Sequence, residues 1–280
     1  MMWGRPVRGS CVTKAAVLAA AFLLFALGAP LVAQPLHYGI SPAEIELVPP
    51  PGGTASGILV VYNQSERRIR FTVSLEDIFI RPSGTMDVLA PGSVPWSAVA
   101  LSKVTPAQFD LDPSRTMRVR ITVTVPADAR GGRYAVIVVS PTPVLQTSVV
   151  GGTVSVIVPK LAAKLLVPVH GTEDVHGDIV SMVAAPLPGG KGADVKVVFK
   201  NTGNVHVRTT GYLLVLDPAG QQVSKIALPD TLVLPSSMRE FKATWAAAVL
   251  SPGSYTLRAV VDYGGAALVA GEIAFTARKP

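Results

Sequence analysis

Lys160 and Lys164 interrupt an otherwise apolar run, residues 154–169. Ammonium groups set into an apolar strand could dock an anionic group such as a carboxylate. The same lysines, with Pro159, also protect an unpaired sheet edge against foreign strands. A second set of cations is Arg67, Arg68 and Arg70 at an expected hairpin, with Arg118 and Arg120 on the outer face of another strand. These could take up an anionic polymer or an acidic partner, or keep the surface soluble. His170, Glu173, Asp174, His176 and Asp178 crowd ligand-type groups together, but their spacing matches no strong metal motif. No metal or cofactor is therefore expected. A Gly-x-Ser-x-Gly elbow, a zinc-protease helix and a phosphate loop are all missing, and the four histidines are scattered. The chain reads as a binding protein, not an enzyme.

The elements that must carry these residues are strands. Residues 43–48, 58–62, 69–80, 118–125, 134–139 and 154–158 are short β-type runs rich in Val, Ile, Tyr and Phe, split by Pro, Gly, Asn and Ser. Residues 118–125 alternate strictly, so one face packs inward while Arg118 and Arg120 face water. A second set follows at 179–184, 195–200, 212–216, 223–228, 239–245, 255–263 and 268–276. Seven strands in about 100 residues is the number of an immunoglobulin-type constant domain. Residues 201–204 and 217–220 supply turns built from residues that tolerate positive φ.

One phrase occurs twice: Pro113-Ser114 leading to Gly132-Arg133-Tyr134, and Pro235-Ser236 leading to Gly253-Ser254-Tyr255. A turn, a strand, a glycine and then a tyrosine whose hydroxyl can reach back to upstream backbone is the wiring of a tyrosine corner. Tyr134 and Tyr255 are expected to close one corner each. The class is all-β, with two tandem immunoglobulin-like β-sandwiches at residues 36–168 and 179–280 and a hinge at 169–178. Trp96 and Trp245 are expected in the core or at the domain junction. Asn63-Gln64-Ser65 matches a glycosylation sequon too short to carry weight.

Residues 1–33 read as an export signal: Arg5, Arg8 and Lys14 precede the apolar stretch 15–29, and Ala33 offers a cleavage site. That stretch is shorter than the roughly 20 residues of a spanning helix, so no membrane span is expected in the mature chain. The only cysteine, Cys11, falls within the leader, which leaves no disulfide and no thiolate site. The leader holds three of the 25 Lys and Arg and none of the 18 Asp and Glu, so the mature balance is 22 to 18. That modest excess gives little support for nucleic acid as a partner and fits an anionic envelope better. The expected setting is exported, either periplasmic or at the cell surface.

Residues 60–65 (Val-Val-Tyr-Asn-Gln-Ser), Leu75-Glu76-Asp77, Gly84, Pro95-Trp96, residues 109–113 (Phe-Asp-Leu-Asp-Pro) and residues 125–129 (Val-Pro-Ala-Asp-Ala) form a shared run closing on Gly132 and Tyr134. In these the first domain resembles periplasmic pilus-assembly chaperones and the Gram-positive surface proteins that bind peptidoglycan and WxL-type partners. The second is similar to generic surface modules. The resemblance implies envelope or surface proteins as partners, pilin-like or WxL-type; the arginine faces offer an anionic cell-wall polymer as the alternative. The resemblance also implies a basic pair in the interdomain cleft that grips a client's terminal carboxylate. Lys160 or Lys164 stands where the last strand of the first domain would supply one member, whereas residues 39–48 hold no Lys or Arg for the other.

Overall fold

The computed structural model describes residue 1 and residues 37–142, 147–150, 153–156, 159–247 and 250–277; the expected export leader lies outside the described residues. The first unit contains β1 (Tyr38–Ser41), β2 (Glu44–Glu46), β3 (Thr54–Asn63), β4 (Ile69–Ile80), β5 (Met86–Leu89), β6 (Ser102–Thr105), β7 (Gln108–Leu111), β8 (Arg115–Thr124), β9 (Gly132–Thr142), β10 (Thr147–Val150), β11 (Thr153–Val156) and β12 (Leu161–Pro168). The second contains β13 (Gly177–Pro186), β14 (Gly192–Asn201), β15 (Val207–Leu216), β16 (Gln222–Val233), β17 (Met238–Ala246), β18 (Gly253–Asp262) and β19 (Val269–Ala277). The fold is all-β, two immunoglobulin-like sandwiches in tandem.

In the first sandwich, a sheet of order β1-β3-β8-β6 faces one of order β2-β12-β9-β4-β5, with β7 also paired to β4 and β10–β11 forming a separate ribbon. The chain changes sheets between β1 and β2 and again between β6 and β7, at Pro42 and Pro106. Proline cannot donate to a ladder and so belongs where a strand leaves its sheet. The second sandwich packs β13-β14-β17 against β16-β15-β18-β19.

The alternation of β8 is realised as expected: Val119, Ile121 and Val123 are buried while Arg118 and Arg120 are exposed. Those three valine and isoleucine side chains meet Phe71, Ile137 and Leu165 of the opposite sheet in the first core. β9 behaves differently. Its near-continuous apolar run is buried on both faces, with Ala135, Ile137 and Val139 in the first core and Tyr134, Val136 and Val138 in a separate cluster. That second cluster includes Leu166 and Ile78 of the first domain and Leu232 and Leu234 of the second, so the two sandwiches share an apolar seam.

A buried asparagine closes each sandwich in the same way. Asn63 Nδ2 donates to the carbonyls of Arg67 (2.7 Å) and Leu111 (2.9 Å), and its Oδ1 accepts from Ser65 N (3.0 Å). Asn201 Nδ2 donates to Val205 (2.8 Å) and Val233 (3.0 Å), and its Oδ1 accepts from Gly203 N (3.0 Å). In both cases the distant carbonyl lies two residues before the Pro-Ser pair, and Ser114 and Ser236 adopt φ of 57° and 59°. The doubled phrase is therefore the signature of this device. Asn201 acts through its side chain, not through the positive φ that the sequence suggests; in the 217–220 turn Gly220 does take a φ of 78°.

The two tyrosines diverge. Tyr255 Oη donates to the Ser251 carbonyl four residues upstream, at 3.1 Å. Tyr134 does not make a corner: its hydroxyl accepts from His206 N of the second domain at 2.6 Å. The cause is the neighbouring glycine pair. Gly131 takes a φ of 68°, and a Cβ there would lie 2.6 Å from the Asn204 carbonyl, so only glycine lets the second domain's 204–206 loop come close enough to claim Tyr134. Trp245 is buried in the second core against Tyr255 and Phe275, and Trp96 packs on the interdomain seam.

The stretch expected as a hinge is bonded to both sandwiches. His170 N donates to the Pro49 carbonyl (2.9 Å), Gly131 N to Thr172 Oγ1 (2.9 Å), and Asp174 N to Asn204 Oδ1 (2.7 Å). β13 begins at Gly177, inside that stretch.

Candidate functional site

Glu44 and Glu46 project from one face of β2, flanking the buried Ile45. The parallel pairing of β2 with β12 sets Glu44 opposite Lys164, and Lys164 Nζ reaches Glu44 Oε2 at 2.7 Å. Arg208, next to the start of β15, bonds the other Glu44 oxygen and stands 3.6 Å from Glu46. His206 Nε2 is 3.5 Å from Glu46 Oε1. A carboxylate pair from the first domain thus lies between a lysine of the first and an arginine and a histidine of the second.

The place where a first-strand cation was sought is occupied by the acid Glu44, and the second cation arrives from the other domain. Burial by itself would raise the Glu44 carboxyl; the bonds from Lys164 and Arg208 outweigh it and hold its pKa below the usual glutamate value. The His206 side chain is only 7% exposed. Burial pushes its pKa down, with Glu46 opposing in part, and burial likewise raises that of Tyr134.

A lowered histidine pKa has a defined consequence. The unfolded chain takes up the His206 proton first, so this contribution to stability is complete above pH about 6.5 and falls as acid is added through that value. A Tm profile should therefore decline from pH 7 to pH 5 more steeply than that of His206→Gln. Matching profiles would show that the histidine is not what acid disturbs.

Beside this ion cluster lies a cleft of about 610 Å³ between the domains. Ile80, Gly84 and Met86 line its first-domain side and Thr209, Thr231 and Leu232 its second-domain side. Lys164, Arg208 and Arg239 bring three positive charges to the wall against Asp230. Lys160 is exposed and makes no ion pair among the described residues.

The other candidate residues do not converge on the cleft. Arg118 and Arg120 lie on the outer face of the β8 sheet, whereas Arg70 is on β4 of the opposite sheet and Arg68 immediately precedes that strand. Arg70 pairs with Asp110 at 2.8 Å, and Arg68 with Asp110 at 3.0 Å and Asp112 at 3.6 Å, which cancels much of their field. Arg67 contributes its carbonyl to the Asn63 device. Among the described residues no three metal-ligating side chains gather; His176 pairs with Asp174 at 2.5 Å.

Sequence reasoning missed Glu44, Glu46, His206, Arg208 and Arg239. The signal for the acids was the alternation Glu44-Ile45-Glu46, two carboxylates on one strand face. The signal for the seam was the unbroken apolar run of β9, too continuous for a strand with one wet face.

No protein-family model and no curated protein matches the chain. Among solved structures it is similar to the class 5 fimbriae chaperone CfaA, at 14% identity and a TM-score of 0.46, over 84% of this chain and 98% of that one. It is similar to the CupB2 chaperone of Pseudomonas aeruginosa at 14% identity and 0.41, over 85% and 99%. The CsuC–CsuE chaperone and tip subunit complex of Acinetobacter baumannii aligns at 10% identity and 0.44, over 84% and 97%. These neighbours are pilus-type chaperones. No comparison supports the Gram-positive, WxL-binding group. Among the described residues no helix is long and apolar enough to cross a membrane.

Proposed function

We propose that the chain is a non-enzymatic, exported protein-binding module of the cell envelope that takes up an extended segment of a pilin-like partner along β12 beside the interdomain cleft. One observation carries this reading. β12 is paired with β9 over its whole length, from Leu161 to Pro168, but with β2 only at Lys164–Leu166. Ahead of Lys164, Ala162 has β9 as its one strand partner among the described residues. That leaves an open sheet edge running into the cleft, the arrangement in which an extended peptide adds as a strand. An anionic polymer finds less to hold, because the arginines are divided between two sheets and Arg68 and Arg70 are paired with aspartates.

The test is capture of a partner from envelope extract on the purified chain, followed by amide exchange on the complex. Backbone pairing is only weakly screened by salt. The expected result is a polypeptide retained at high salt, with slowed exchange at residues 160–163. Release by salt without protection along β12 would overturn the reading.

A further inference from the structure

The sheet of order β1-β3-β8-β6 turns one face into the first core; the second sandwich docks on the opposite sheet, through Tyr134, Val136, Val138 and Leu166. The outer face of the first sheet is therefore left open by both. Its two central strands, β3 and β8, are 10 residues each and pair throughout without a register shift, which makes a platform about 30 Å long and, over four strands, about 14 Å wide. Arg118 and Arg120 stand outward on β8, and Lys103 of β6 lies opposite Thr122 next to them. All three are exposed, none makes an ion pair among the described residues, and no outward position of the four strands holds Asp or Glu. The hydroxyls of the face are used up on one another, Thr54 with Thr124 at 2.9 Å and Ser56 with Thr122 at 3.0 Å. Tyr62 lies at the far end of β3 from those pairs, its ring folded over Gly39 of β1, where a Cβ would collide with it. The ring thus lies along the sheet instead of standing off it, in line with the half-buried Ile58 and Val60.

We propose that this outer face rests on an anionic phospholipid surface, with Arg118, Arg120 and Lys103 against the headgroup phosphates and Tyr62 at the level of the headgroups. Charge complementarity selects the occupant. Two guanidinium groups about 7 Å apart on one strand, with no acid nearby on the face, repel each other until a counter-charge is brought to them. An acidic polypeptide finds little else here: β3 and β8 are paired on both sides and offer no free backbone, and the hydroxyls are already bonded. A broad face with cations and a flat aromatic ring suits a plane of diffuse negative charge, where each basic residue adds attraction and tyrosine is at home in the interface. The inference is independent of the cleft, and docking by this face leaves β12, on the opposite sheet, open to a partner.

The experiment is co-sedimentation with vesicles of phosphatidylglycerol and phosphatidylcholine in equal parts, against vesicles of phosphatidylcholine alone, at low salt. The chain is taken from Gln34, because the apolar residues 15–29 would themselves bind lipid and both sandwiches lie beyond them. Binding to the anionic vesicles should be about a hundredfold the tighter, near fivefold for each of three cations, and should fade as salt is added. Arg118→Gln with Arg120→Gln should weaken it about 25-fold, and Lys103→Gln alone about fivefold, at unchanged Tm. Arg68→Gln with Arg70→Gln removes the same net charge from the other sheet and should bind as the parent does. Equal binding to the two kinds of vesicle overturns the proposal. So does an equal loss in the two double variants, which would mean that bulk charge and not this face is felt. Soluble polyglutamate bound as tightly as the anionic vesicles would assign the face to an acidic polypeptide and overturn it likewise.

Discussion

Asn201→Ala is expected to lower stability by about 3 kcal/mol, and Asn63→Ala by a similar amount. Each asparagine is nearly inaccessible, 0% exposed for Asn201 and 1% for Asn63, and each donates to two carbonyls while accepting from backbone two residues on. Alanine fills part of the volume but leaves those carbonyls and the Ser65 or Gly203 amide without partners. An orphaned buried polar group costs about 1–3 kcal/mol, and partial relaxation keeps the sum near the lower end. One carbonyl of each pair, that of Leu111 or of Val233, precedes the positive-φ turn at Ser114 or Ser236, so the loss should also loosen those turns. Urea unfolding checks this through the shift in midpoint at unchanged slope. A shift near zero in either variant would mean that the device adds no net stability in that sandwich.

Leu234→Asp should uncouple the two domains. Leu234 is fully buried in the seam, against a cluster that includes Tyr134, Val136, Val138 and Leu166 of the first domain. A carboxylate placed there has no cation to pair with among those neighbours, and burying it costs about 3–5 kcal/mol unless the seam opens. Opening is the cheaper route, because each sandwich keeps a core of its own. Calorimetry should then resolve two transitions where the parent protein shows one, and the radius of gyration should rise. A single transition with unchanged dimensions would show that the seam does not couple the domains.

Much of the architecture can be read from local pattern. The alternation of residues 118–125 places Arg118 and Arg120 outside and Val119, Ile121 and Val123 inside because side chains alternate across a strand whatever lies elsewhere. The doubled Pro-Ser phrase marks two copies of one sandwich, since a turn with unusual φ and the strand after it are set by neighbours in sequence. Lys164 was legible as a cation set into an apolar strand, and it does reach the cleft.

Where its charge goes was not legible. The Lys164 partner, Glu44, lies 120 residues upstream, and Arg208, the other cation on Glu44, is 164 residues beyond it. Only the packing of one domain on the other brings the three together. Tyr134 shows the same limit. Its local phrase is that of a corner, yet its hydroxyl serves His206, because the glycine pair before it admits a loop from the second domain. Arg239 lies beside Gly84, far off in sequence, only because the second sandwich docks on the β4–β5 turn, and there its Nε is buried with no hydrogen-bond partner among the described residues. Strand periodicity and turn chemistry act over a few residues and so determine the elements and the doubled fold. Charge pairing and seam burial depend on distances between groups far apart in the chain, and those distances exist only once the two sandwiches have docked.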